Sequence, residues 1–368
     1  MTFWKRLKRN IKNLNDSELR EILSSQKQPA FRSEQIKKAI YKNRKKEFSE
    51  ISNLPKSLTS YLTENFEINS LKIRTVRKSR DGSVKFLFES LDGNSLEAVY
   101  MPWFDDSSEN VERETLCISS MSGCSVGCAF CATGKIGFKK NLEIAEMIDQ
   151  IFLVEDYLHT KLTNIVLMGM GEPLMNYSNV IGALEILTDP NYEIFNRKRI
   201  TISTSGIAPR IKQLAKFIRP VKLAISLHAT SNGVRDKIMP INQSFKLETL
   251  MDAVEEYYKI TKIPITYEYI IFDNLNDTEN DIVRLTKIAR RVPSRVNIIP
   301  FNDISFTNPT GFASELKPAK REKMEYFAAK LREKGVASII RDTFGGDIEA
   351  ACGQLALSEE KIIQTIEI

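Results

Sequence analysis

No stretch of this sequence approaches the roughly 18 consecutive apolar residues that a membrane-spanning helix requires, so a bilayer is not an expected partner. The opening MTFWKRLKRNIKNLND is basic, but no apolar core and no small-residue cleavage site follow it, and it does not read as a secretory signal. Low-complexity tracts and short repeats are also missing. Cysteine is scarce: there are five, an odd number, and three of them crowd into residues 124–131. That distribution excludes a structural disulfide framework and fits a reducing, cytoplasmic setting. Histidine is rarer still, with only His159 and His228 available to complete a metal site.

What is present is the balance of a globular protein, 42% hydrophobic and 27% charged, in a chain of 368 residues with room for more than one structural unit. Charge is uneven. Residues 1–50 hold 14 Lys or Arg against 6 Asp or Glu, a net of +8, whereas the whole chain carries +6. A basic module on a near-neutral body suggests a polyanion such as RNA, although a solvated helix face reads the same way. The positive runs KRLKRNIK, RKKEF and FNRKRI are the candidate phosphate contacts.

Three zones follow from periodicity. Residues 1–70 are predicted helical, from the apolar spacing of SELREILSSQ, FRSEQIKKAIYKN and LPKSLTSYLTENF. Residues 71–114 change period: SVKFLFES and SLEAVYMPW flank LDGN, the pattern of a β-hairpin. From 115 to 357, short β-branched segments (TLCISS, NIVLMGM, RITISTSG, KLAISLHA, ITYEYIIF, RVNIIPF, ASIIRD) alternate with helical patterns. Such βα repetition predicts parallel strands with helices outside, an α/β fold of the full or partial barrel kind. In such barrels the chemistry sits on loops at the C-terminal ends of the strands. Residues 358–368 are expected to be a tail.

Cys124, Cys128 and Cys131 are spaced C-x3-C-x2-C directly after the first of these strands. Zinc is one occupant to consider, with His159 or His228 as a fourth ligand, but a structural zinc site usually pairs two cysteine knuckles and only one is present. The spacing resembles the radical S-adenosylmethionine (SAM) superfamily. Three cysteines there hold a [4Fe–4S] cluster and leave one iron open for the amino and carboxylate groups of SAM. The resemblance implies a partial (β/α)6-type barrel with an N-terminal helical accessory unit and a linking hairpin. Other features agree with it. VLMGMGEPLMN runs an apolar strand into a Gly-rich turn where Glu172 can accept from an ammonium. Ser203, Ser226 and His228 end two further strands.

Cys117 and Cys352 remain, and on residue type alone they are buried small hydrophobes. Yet ETLCISSMSGCSVGCAFCATGKIGFKKNL, MGMGEPLMN, ITISTSG, LAISLHA, MPIN and GGDIEAACGQLA together resemble the RlmN/Cfr family of RNA adenine methyltransferases, over residues 85–357. The basic N-terminal zone is similar to that family's RNA-binding accessory domain. The resemblance implies a use for both thiols. Cys352 takes a methyl from one SAM, and a radical made from a second SAM removes a hydrogen from it. The carbon radical adds to adenine, and Cys117 then attacks sulfur to release the product as a disulfide forms. Glu97 aligns with the proton acceptor of the family, and as a strand Glu it equally suits a solvent-facing position. Gly171, Glu172, Ser203, Ser226, Leu227, His228 and Asn302 correspond to SAM contacts. The expected partners are ribosomal RNA, with transfer RNA as a further candidate, and an electron donor such as flavodoxin or ferredoxin; the expected state is a monomer. Pro173 in MGEPL resembles the RlmN branch, which methylates C2. The Cfr branch, acting on C8, and a non-catalytic zinc-stabilised RNA-binding protein are the alternatives.

Overall fold

The computed structural model describes residues 8–105 and 111–357. The expected tail 358–368, and Lys5 and Arg6 of the first basic run, lie outside the described residues. Among the described residues, ten strands form one continuous sheet whose order in space follows their order in sequence. Leu71–Lys78, Val84–Ser90, Ser95–Phe104 and Val111–Cys117 pair antiparallel. Asn164–Leu167, Ile200–Thr204, Lys222–Ser226, Ile265–Ile271, Ser294–Pro300 and Ser338–Ile340 then continue parallel to Val111–Cys117. Seven parallel strands are thus joined by six crossovers, and each crossover carries at least one helix, for example Ile144–Leu158, Leu247–Thr261 and Arg321–Glu333. This is a partial α/β barrel, as the alternation predicted.

The predicted hairpin is present as Val84–Ser90 and Ser95–Phe104, turning at Gly93 with φ 81°. It belongs to a larger antiparallel extension, because Leu71–Lys78 adds a strand that sequence reasoning did not separate from the linker. Its LKIRTVRK alternates charge with apolar residues on a half-exposed strand.

The barrel is not closed by pairing, since Ser338–Ile340 and Val111–Cys117 are not neighbours. The segment 341–353 spans that seam. At one end Arg341 N donates to Ile298 O at 2.8 Å. Further along, Gly345 N donates to Asp81 Oδ2 at 2.7 Å, Ser79 Oγ to Asp347 Oδ1 at 2.5 Å, and Lys85 Nζ to Glu349 O at 3.1 Å. Backbone and side-chain bonds to both flanks fix a stretch that has almost no regular structure of its own.

The N-terminal helices Asp16–Ser25, Arg32–Tyr41 and Lys56–Asn65 share one continuous apolar core with the barrel. The turn Ile11–Asn13 ahead of them packs on the helix Ile144–Leu158. Lys12, 2% exposed, pairs there with Asp149, whose other oxygen accepts from Ser70 N at 2.7 Å. Burying two charges is costly, and here the Asp149 carboxylate is also held by Ser70 N and Oγ while the Lys12 ammonium faces the Phe152 ring at 5.5 Å. Most basic residues of this zone are already matched: Arg44 with Glu155 at 3.0 Å, Lys42 with Glu193 at 2.8 Å and Lys46 with Asp156 at 2.9 Å.

Candidate active site

The loop CSVGCAFC leaves the first parallel strand and brings Cys124, Cys128 and Cys131 onto one cavity of about 150 Å3. Gly127 turns the loop with φ 70°, a backbone region that side chains disfavour. Gly171, Glu172, Ser203, Ser226 and His228 line the same cavity, each at or just beyond the C-terminal end of a strand. At Gly171 the close approach is absolute: φ is 98°, and a Cβ would stand 2.5 Å from Met121 Cβ.

Burial sets the electrostatics of this pocket. It pushes the Cys124 thiol up to about 11, and it raises Cys128 and Cys131 as well. Such thiols lose their protons to solvent when a metal binds, the positive charge of the metal taking the proton's place on sulfur. Glu172 is 4% exposed and raised by burial, although Ser205 N donates to Oε2 at 2.6 Å and Leu174 N to Oε1 at 3.0 Å. Those bonds aim the carboxylate across the pocket while its remaining lone pairs stay open to a donor.

His228, with φ 52°, accepts from Ile270 N through Nδ1 at 3.1 Å and packs edge-on to Phe130. Burial, and then Arg235, depress it to about 3, so the ring is neutral with its proton on Nε2. A ring in that state has no free lone pair for zinc. His159 caps the far end of Ile144–Leu158 and does not line the cavity. Among the described residues, no three His, Cys, Asp or Glu converge as a single ion requires. A cubane takes one thiolate at each of three corners instead. The donor set suits it: three thiols on one loop, a carboxylate and hydroxyls across the same space, and the more distant thiol of Cys352, from the segment 341–353, on the shared wall with the second cavity.

A second cavity of about 70 Å3 adjoins the first and contains both remaining thiols, Cys117 and Cys352. Burial, and then Cys352, push Cys117 up to about 12, so it rests protonated. Asn302 lines this cavity, not the first; it donates from Nδ2 to Cys352 O at 3.0 Å and so holds the cysteine segment. Leu227 is fully buried, and its carbonyl accepts from Arg235. Glu97 is not solvent-facing. It is 2% exposed, paired with Lys85 Nζ at 3.1 Å, and accepts from Leu357 N at 3.3 Å. By strand alternation it shares a face with Val99 and Met101, which line the thiol cavity, but it lines neither cavity itself.

Two arginines went unnoticed in the sequence. Arg235 is completely buried and donates to Leu227 O at 3.1 Å, Asn242 Oδ1 at 3.1 Å, Ser205 O at 2.6 Å and Ser226 O at 3.0 Å. It ties together the strand ends that carry the polar wall of the pocket, and MPIN, which supplies Asn242, was the signal available. Arg341 lines both cavities and lies 3.5 Å from Glu268 Oε2. Burial opposes its charge, and the neighbouring Cys352 and the Glu268 carboxylate favour it, so that its pKa is raised overall.

A partial parallel barrel with a three-cysteine loop above its first strand, facing a glycine- and hydroxyl-lined pocket, defines a radical SAM enzyme. Residues 118–286 match the model of the radical SAM superfamily, and residues 9–68 match that of the ribosomal RNA large subunit methyltransferase N-terminal domain. The dual-specificity RNA methyltransferase RlmN of Pelobacter propionicus is 39% identical over 95% of this chain and 96% of its own. That of Geotalea uraniireducens is 38% identical over 96% and 98%. The crystal structure of a radical SAM methyltransferase from Sphaerobacter thermophilus superposes with a TM-score of 0.84 at 34% identity, covering 94% of this chain and 99% of that one. The chain belongs to the RlmN family of radical SAM RNA methyltransferases.

Proposed function

We propose that this enzyme methylates C2 of an adenine in ribosomal RNA, and in transfer RNA as well, by way of an S-methyl group on Cys352. The observation that carries the reading is the position of Cys117 and Cys352 in one cavity that opens onto the pocket of the three other cysteines. An aromatic C–H carbon is too weak a nucleophile to take a methyl from a sulfonium directly, so a sulfur relay is the chemistry this arrangement suits.

Cys124, Cys128 and Cys131 would hold the [4Fe–4S] cluster, with Glu172, Ser203, Ser226 and His228 around SAM. When bound, the two together supply a hydrogen-abstracting radical. The remaining steps fall to the protein's own groups. The Cys352 sulfur loses its proton and accepts the methyl. After loss of a hydrogen atom, its carbon bonds to the adenine ring. Glu97, or Cys117, takes the ring proton as the adduct's unpaired electron passes to a one-electron acceptor, the oxidised form of the iron–sulfur couple. The Cys117 thiolate then attacks the Cys352 sulfur; a disulfide forms, the sulfur–carbon bond to the base breaks with its electron pair on carbon, and that carbon takes a proton to become the methyl group. A thiol reductant returns two electrons to reset the pair. Asn302 fixes the backbone of Cys352 while this happens.

The test is on product. RNA from a strain lacking the gene, with and without its restoration, is digested to nucleosides and separated by chromatography with mass detection. 2-Methyladenosine that depends on the gene, and is lost in Cys117→Ala and Cys352→Ala, supports the proposal. 8-Methyladenosine would overturn the C2 assignment while leaving the relay intact. Full activity in Cys352→Ala would sink the relay.

A further inference from the structure

At the end of the barrel away from the cysteine loop, a cavity of about 270 Å3 is walled by residues from all seven parallel strands. It joins the thiol cavity through shared lining at Met101, Met168 and Arg341. Its rim is positive. Arg113, Lys222 and Arg295 line it, and Arg199, from the FNRKRI run, stands at the head of the neighbouring strand. Among the described residues, none of the four has a carboxylate within ion-pairing distance. Glu268 and Asp342 also line the cavity, with Glu268 engaged by Arg341 at 3.5 Å, whereas the basic residues of the N-terminal zone are mostly paired.

The four also bear on one another. Arg113 is lowered by burial and then by Arg341 and Arg199; only Glu112, at longer range, favours its charge. Lys222 is lowered by burial and then by Arg295, Arg199 and Arg113. Mutual repulsion at a mouth is relieved when an anion arrives. Beside these cations stands an aromatic pair. Trp103 is 39% exposed, its ring lies 5.7 Å from that of Phe344, and the Arg113 guanidinium sits over it at 4.8 Å. Cations interleaved with partly open aromatic faces are what a single nucleic-acid strand requires: charge for the backbone, a flat surface for a base.

We propose that single-stranded RNA enters the barrel through this mouth, with Arg113, Arg199, Lys222 and Arg295 on the phosphates flanking the target adenosine and Trp103 and Phe344 stacking a neighbouring base. The adenine, turned out of its stack, then reaches the thiol cavity from the side opposite the SAM pocket. This deepens the RNA methyltransferase reading and rests on it. It also relocates the main RNA contact from the N-terminal helices, where the sequence put it, to the barrel itself.

The experiment measures binding of a short fluorescent single-stranded RNA containing one adenosine to the holoenzyme, across a salt series. Arg113→Ala/Lys222→Ala/Arg295→Ala is compared with Lys38→Ala/Lys42→Ala/Lys46→Ala as a charge-matched control in the N-terminal zone. Iron content and thermal melting check that each variant is folded. Loss of three backbone contacts is expected to flatten the slope of log affinity against log salt by about 2. Trp103→Ala is expected to weaken binding by about tenfold, and Trp103→Phe to restore most of it. An unchanged slope in the mouth variant, with a reduced one in the control, would overturn the proposal and return the contact to the N-terminal helices. Methyl transfer to bulk RNA is followed in parallel. If the wild type methylates no adenine, the functional reading has failed; if it does and the mouth variant does so equally well, only the entry route has failed.

Discussion

Arg235→Met is the most informative single substitution, because it removes a charge and its donors while keeping an unbranched apolar stem in place of arginine's. The guanidinium makes four hydrogen bonds, three of them to backbone carbonyls at the ends of two barrel strands. Charge-assisted bonds of this kind contribute about 1.5 kcal/mol each at the low end, or about 6 kcal/mol together. Against this stands the cost of keeping the cation dry. Burial lowers Arg235 from 12.5 to about 10, and at about 1.4 kcal/mol per unit that is about 3 kcal/mol which methionine would recover. The difference is a net loss of about 3 kcal/mol. Urea denaturation of the apoprotein should show it as a lower midpoint at unchanged slope. Because Ser205 N also holds Glu172 and Ser226 lines the pocket, the KM for SAM should rise more than kcat falls. Stability within about 1 kcal/mol of wild type, with an unchanged KM, would refute the idea that Arg235 fixes this wall.

Other outcomes follow from the same geometry. Glu97→Gln should destabilise by about 3 kcal/mol, since it leaves Lys85, 4% exposed, as an unpaired buried cation. Glu97→Gln/Lys85→Met should recover most of that loss, and if Glu97 accepts the ring proton, methyl transfer assayed on RNA stays low in the double variant. Gly171→Ala should cost several kcal/mol and abolish SAM binding by calorimetry, as the new Cβ meets Met121 and φ 98° is forbidden to it. The apoprotein should lose stability as pH falls from about 6.5 toward 3. Unfolded His228 binds a proton across that window while the folded ring, depressed to about 3, does not. The loss is at most roughly 1.4 kcal/mol per pH unit from this group. His228→Asn, followed by denaturation at several pH values, should flatten that slope.

How far the sequence could be read depended on where the determinants lie. All seven parallel strands were visible because each is a short β-branched run bounded by helical periodicity, and Asp-Gly announced the hairpin. The cysteine loop was visible because its ligands are local. Leu71–Lys78 was lost among charged residues that a half-exposed strand tolerates. Arg235 and Arg341 were missed because arginine is ordinarily a surface residue, and only the barrel brings carbonyls, thiols and Glu268 around them. The N-terminal charge excess is smaller in the fold than in the count, for a related reason. Asp149, Glu155, Asp156 and Glu193, which pair with Lys12, Arg44, Lys46 and Lys42, lie more than a hundred positions along the chain. A count over residues 1–50 cannot see its own neutralisation.

The spatial order of the sheet carries a consequence for how the molecule is made. Since each strand lies beside the one synthesised just before it, a nascent chain can add strands one at a time without waiting for distant partners. The antiparallel strands offer a template, and every following βα unit covers the edge left exposed by its predecessor. Arg341–Gly353 comes last in this series. A ribosome that has released everything up to Ser338–Ile340 has released the cluster loop and the polar wall of the pocket, but not Cys352. The two thiols of the second cavity are therefore brought together only after the rest of the barrel has been released, when there is a folded cavity to hold them both.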